Sequence, residues 1–191
     1  MDIRIVEEPK KPLAMNPKKF GLWLFLSTVV MVFASLTSAY IVRRAEGDWK
    51  NFELPSLFYW TSIIVVISSI AVQAGYFKAR KGAIKTSRDL LALTFFLGLL
   101  FLIGQFYAWG QMVDANIYLV GNPSESFVYV LSGLHGLHIV SALIFLILVW
   151  SRAGYAVDGK VNLVQLELCV TYWHFLGGLW LYLFVFLTVY R

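Results

Sequence analysis

Charge is what this sequence has least of. Only 14% of its 191 residues are charged, against roughly 25% in an ordinary soluble domain, and a chain of this size has too much surface to hide such a deficit. Cysteine is reduced to Cys169, which excludes an intrachain disulfide. Ten-residue segments of alternating hydrophobicity, the mark of a transmembrane β-barrel, are missing. So are internal repeats and paired Pro-broken spans, which counts against an inverted-repeat transporter. Charge runs of the kind that bind nucleic acid are missing too, because the Lys and Arg residues behind the net charge of +5 flank apolar segments.

What fills the chain instead is apolar residues, 59% of the total, with a mean hydropathy of +0.71. They fall into five runs, 20–42, 57–77, 90–113, 127–150 and 165–190. Each is near the length of about 20 residues that a helix needs to cross a bilayer, and in lipid such runs must satisfy their own backbone groups as helices. The expectation is an all-α integral membrane bundle of five transmembrane helices, a single domain over 20–191. Residues 1–19 read as a retained cytoplasmic tail, since the run after them is too long for a signal-peptide core. The connectors 43–56, 78–89, 114–126 and 151–164 are too short for a soluble domain, so function resides in the membrane or in partner subunits. Aromatic residues, 17% of the chain, suit a protein with two membrane interfaces.

The placement of positive charge sets the orientation. Arg4, Lys10, Lys11, Lys18 and Lys19 precede the first run, and Lys78, Arg80, Lys81, Lys85, Arg88, Arg152 and Lys160 lie in the second and fourth connectors. The opposite face has only Arg43, Arg44, Lys50 and Arg191. The positive-inside rule then places the N-terminus in the cytoplasm and the C-terminus outside.

Ionisable groups inside spans are costly, and each needs an account. All three histidines of the chain, His135, His138 and His174, fall in spans. His135 and His138 are three residues apart and share a helix face. Glu167 stands two turns before His174, and Gln73 and Gln105 are amides within the second and third spans. One reading is axial ligation of haem, as in a b-type cytochrome membrane anchor. At about 1.5 Å per residue, however, no two histidines on different helices reach matched depth. A zinc site on His135 and His138 is a second reading, weakened because Glu167 is on another span. The third is interhelical hydrogen bonding among His135, His138, Glu167, His174 and Gln105, with Glu167 also within reach of a basic residue such as Arg152. A role in proton movement is a fourth. Small residues mark packing faces at Ala34/Ser38, Ser35/Ala39, Gly104/Ala108, Ser132/Gly136 and Gly177/Gly178.

Three stretches together resemble subunit III of the haem–copper terminal oxidases, the cytochrome c and quinol oxidase family. They are Glu167-Leu-Cys-Val-Thr-Tyr172-Trp173-His174-Phe175 running on to Trp180-Leu-Tyr-Leu-Phe, Ser132-Gly-Leu-His135-Gly-Leu-His138-Ile-Val, and Gly21-Leu-Trp23-Leu-Phe-Leu with Ser38-Ala-Tyr40. Gln105 with Trp109 fits more loosely. Five spans match the short bacterial form of the family. Where the family commonly carries carboxylates, this chain has Val29, Ala108 and Gly177. The resemblance implies a non-catalytic subunit of an aerobic respiratory oxidase in the bacterial inner membrane, packed against subunit I alongside subunit II. It implies no cofactor bound by this chain, haem and copper in the partner subunits, and phospholipid held against the helices. Trp23, Trp173, Trp180 and Arg152 are the expected contacts to lipid or to neighbouring subunits.

Overall fold

The computed structural model describes residues 16–154 and 163–190, apart from the side chains of residues 152–154. The described residues form five helices, α1 (Pro17–Arg44), α2 (Leu57–Arg80), α3 (Ile84–Asp114), α4 (Pro123–Gly154) and α5 (Leu163–Val189), and no strand. All five are long and apolar enough to cross a membrane.

The helices run past the apolar segments because polar residues extend them. Asn16 caps α1, its Oδ1 accepting from the Lys18 backbone N–H at 3.0 Å, and Pro17 occupies the first turn, where no N–H is needed. Arg43 and Arg44 occupy the last turn of α1, where cations face the negative end of the helix dipole. The expected connector 78–89 shrinks to residues 81–83: α2 continues to Arg80 and α3 resumes at Ile84. Gly82, at φ +77°, makes that turn in a backbone region glycine adopts without strain. The tight turn folds α2 and α3 into a hairpin that shares the most extensive helix–helix contact.

The remaining packing does not follow chain order. α1 lies on α4 and α5 rather than on α2, and α5 touches α1, α2 and α4. The segment between α1 and α2 crosses the top of the bundle. Its Trp49 ring meets Tyr40 at 4.6 Å and Phe127 at 6.4 Å, and the Asp48 carbonyl accepts from Asn122 Nδ2 at 2.9 Å. α5 is therefore the axis of the molecule, with Leu166, Leu176, Trp180 and Leu183 fully buried along it.

Small residues set how closely the helices approach. A Cβ on Gly98 would come within 2.8 Å of Leu143 and of Trp173, and one on Gly104 within 2.6 Å of Thr61. Gly104 and the buried Ala108 thus serve the α3 face towards α2. The small residues of α1, namely Ala34, Ser35, Ser38 and Ala39, lie instead on the exposed side of the bundle.

Candidate functional site

Lipid offers helices no hydrophobic reason to associate, so close packing and buried hydrogen bonds carry much of the bundle. Those bonds follow a recurrent pattern, an aromatic N–H or O–H against a Ser or Thr hydroxyl on another helix. Trp173 Nε1 donates to Ser68 Oγ at 3.1 Å and Trp180 Nε1 to Ser62 Oγ at 3.0 Å, joining α5 to α2. Trp109 Nε1 donates to Ser132 Oγ at 3.0 Å between α3 and α4. The Tyr172 hydroxyl and Ser141 Oγ are 2.7 Å apart between α5 and α4, and Tyr182 donates to Thr37 at 3.3 Å between α5 and α1. Each serine also donates back to its own helix, as Ser62 does to the Phe58 carbonyl at 2.7 Å, so both of its hydrogen-bonding roles are used.

Trp173 and Trp180, expected at lipid or at a neighbour, are thus inside the bundle, only 4% and 0% exposed. They are seven residues apart, which stacks them on one face of α5, while their acceptors on α2 run in the reverse order. That pairing of Trp173 with Ser68 and Trp180 with Ser62 is an antiparallel zipper. Trp23 is 60% exposed and free to meet lipid or another subunit. The Arg152 side chain lies outside the described residues.

The polar residues singled out in the spans separate into distinct environments. Gln105 Nε2 donates to Thr61 Oγ1 at 3.1 Å. Glu167 pairs with Lys19 across α5 and α1, Nζ to Oε1 2.6 Å, and both groups are partly exposed near the N-terminal ends of their helices. His138 turns its Nδ1 to the Leu134 carbonyl of its own helix at 2.7 Å. His174 Nε2 and Gln73 Oε1 are 2.9 Å apart between α5 and α2. Glu167 and His174 thus engage different neighbours despite their shared register.

His135 has the most unusual surroundings. It is wholly buried, and neither ring nitrogen has a hydrogen-bond partner among the described residues. Its neighbours are rings: Trp180 at 5.1 Å, Phe101 at 5.8 Å nearly perpendicular, and Phe33 at 6.5 Å. Packing, not hydrogen bonding, holds this imidazole, and its edge-to-face geometry with Phe101 and Phe33 suits ring quadrupoles. Phe33 also faces His138 at 5.7 Å, whereas His174 sits with Gln73 in an outward-opening groove. His135 and His138, on one helix, thus share Phe33 as a neighbour, whereas His174 of α5 looks into the groove with Gln73.

Positions where family carboxylates were expected are close-packed. Val29 is 3% exposed and Ala108 is fully buried, and a Cβ on Gly177 would already meet Ser69 Oγ at 3.0 Å. A side chain at Gly177 would press on Ser69 and Val65 of α2, which would have to give way by a few tenths of an ångström. Sequence reasoning missed the serines that receive the indoles. A signal for them existed in the Thr61-Ser62 and Ser68-Ser69 pairs of α2, six to seven residues apart like the two tryptophans.

The sequence is similar to known proteins over most of its length. The family described as Cytochrome c oxidase subunit III matches residues 47–191. The chain is 28% identical to "Cytochrome c oxidase subunit 3" of Corynebacterium diphtheriae, over 95% of this chain and 93% of the relative. It is 30% identical to "Cytochrome bo(3) ubiquinol oxidase subunit 3" of Buchnera aphidicola, over 92% and 95% of the two. With "Probable quinol oxidase subunit 3" of Staphylococcus saprophyticus the identity is 26%, over 88% and 87%.

Proposed function

Because the chain belongs to the cytochrome c oxidase subunit III family, we propose that it works as the non-catalytic flank of an aerobic respiratory haem–copper oxidase in a bacterial inner membrane. It packs against the catalytic subunit I alongside subunit II, which with it hold the haem and copper, and it shields their membrane face while retaining phospholipid. Its N-terminus lies in the cytoplasm. The electron donor, cytochrome c or quinol, is a property of the partner subunits, and relatives named for either donor are similarly related to this chain, at 28% and 30% identity.

One observation supports the non-catalytic part of this reading. Both core tryptophans are spent on joining helices by donating to serines, and His135 is caged by Phe33, Phe101 and Trp180. The buried positions Val29, Ala108 and Gly177 bring no carboxylate into the bundle.

The test is oxygen consumption by the oxidase assembled with and without this chain. The expected result is an unchanged haem spectrum and initial turnover retained within about twofold, well under the loss expected from removing a group that acts on the reacting atoms. Disappearance of a haem signal along with the chain overturns the proposal.

A further inference from the structure

α2 and α5 meet along a groove of about 510 Å³ that opens away from the bundle. Its floor carries the Gln73–His174 pair together with Gly177 and Gly178, and its walls include the exposed Ile70 and Leu181. His174 is about 3 Å from the midpoint of α5 at 1.5 Å per residue, so an exposed imidazole faces outward near mid-membrane. Hydrocarbon tails can offer this pair no hydrogen bond, and polar groups at such depth normally face protein or water. The single contact between His174 Nε2 and Gln73 Oε1 leaves the Gln73 amide NH₂ and the second imidazole nitrogen with bonding capacity.

The two glycines have different neighbours. Gly177 faces α2, where an added Cβ would meet Ser69 Oγ at 3.0 Å and Val65 at 3.2 Å. Gly178 faces out, and a Cβ there would meet nothing within 4 Å. Packing within this chain explains the first glycine but gives no reason for the second. A smooth floor at Gly178, beside a polar pair with bonding capacity left, is a surface on which another helix backbone can lie closely.

We infer that this groove receives a transmembrane helix of a neighbouring oxidase subunit, one whose polar side chain or backbone carbonyl hydrogen-bonds the Gln73–His174 pair. The inference rests on the reading of the chain as an oxidase subunit and adds to it the face that docks.

The test is assembly of the whole oxidase purified through a tag on its catalytic subunit, with this chain as wild type, Gly178→Leu or Gly110→Leu. Gly110 is the matched control, an exposed glycine on α3 whose added Cβ also meets nothing within 4 Å. Gly178→Leu should lower the amount of this chain retained per catalytic subunit by about tenfold or more, as loss of close approach and of a hydrogen bond implies, while Gly110→Leu is retained. Equal retention of Gly178→Leu and wild type overturns the inference, and so does equal loss of both variants. Absence of the wild-type chain from the complex would instead overturn the reading of the chain as an oxidase subunit. A photoreactive benzophenone side chain at Ile70 gives a second measurement that needs no destabilising change. Cross-linking to another oxidase subunit supports the inference, whereas cross-linking only to lipid or to a second copy of this chain overturns it.

Discussion

At the scale of single residues, tryptophan does two unlike jobs in this chain. Trp180 stacks on Phe58 at 5.7 Å, meets Phe101 edge-on at 5.0 Å, and donates to Ser62. Trp23, 60% exposed, has none of these partners. Trp180→Ala should therefore destabilise the purified chain by about 3–5 kcal/mol, as large-to-small changes in close-packed cores do. Trp23→Ala should stay within about 0.5 kcal/mol. Thermal melts of both variants in mild detergent check this, and equal losses would contradict the assignment of Trp180 to the core. The burial of Trp173 and Trp180 was not legible in the sequence. In a span whose every face is apolar, no periodic stripe separates inside from outside, and tryptophan is also the residue favoured at membrane interfaces. Their seven-residue spacing acquires meaning only beside the serines of α2. His135 was hard to read for the opposite reason: a polar side chain implies a polar partner, yet rings enclose this one.

At the scale of helices, the existence of all five was legible, because an apolar run of about 20 residues has one stable form in lipid. Their ends were less so. Lys85, Arg88 and Asp89 read as a connector by composition, but they form the first turns of α3 after a turn of three residues at Gly82. Arg88 lies with its guanidinium 5.1 Å from the Trp150 ring of α4, which gives a charged helix start something to pack on. Neighbour order was hidden as well, since connector length does not show that α1 leans on α4 and α5. Two unlike contacts are among those that hold α1 there: the buried Phe33 against α4, and the Lys19–Glu167 pair to α5. Because the ion pair is partly exposed, Lys19→Met should cost no more than about 1 kcal/mol, and raising the salt concentration should shrink the difference from wild type. Phe33→Ala should cost several times more. Melting curves at low and high salt separate the two contacts, and a large, salt-insensitive loss for Lys19→Met would contradict the partly solvated geometry.

At the scale of the whole molecule, the five helices form a bundle with α5 as axis, sealed inside by indole–serine bonds and ring packing. It has no soluble domain among its described residues, and the groove between α2 and α5 has a polar mid-membrane floor. Such a molecule has more surface suited to partners than interior suited to chemistry. That makes composition of the native assembly the most direct measurement: isolate the complex through a tag on this chain in mild detergent, then identify its proteins by mass spectrometry and record its visible spectrum. The expected result is a haem–copper catalytic subunit in about equal amount with this chain, as one copy of each subunit per complex requires, and a haem spectrum unchanged by His138→Ala. Isolation of this chain without that subunit, or carrying a stoichiometric haem signal that His138→Ala abolishes, would contradict its role as the flank of another subunit's chemistry.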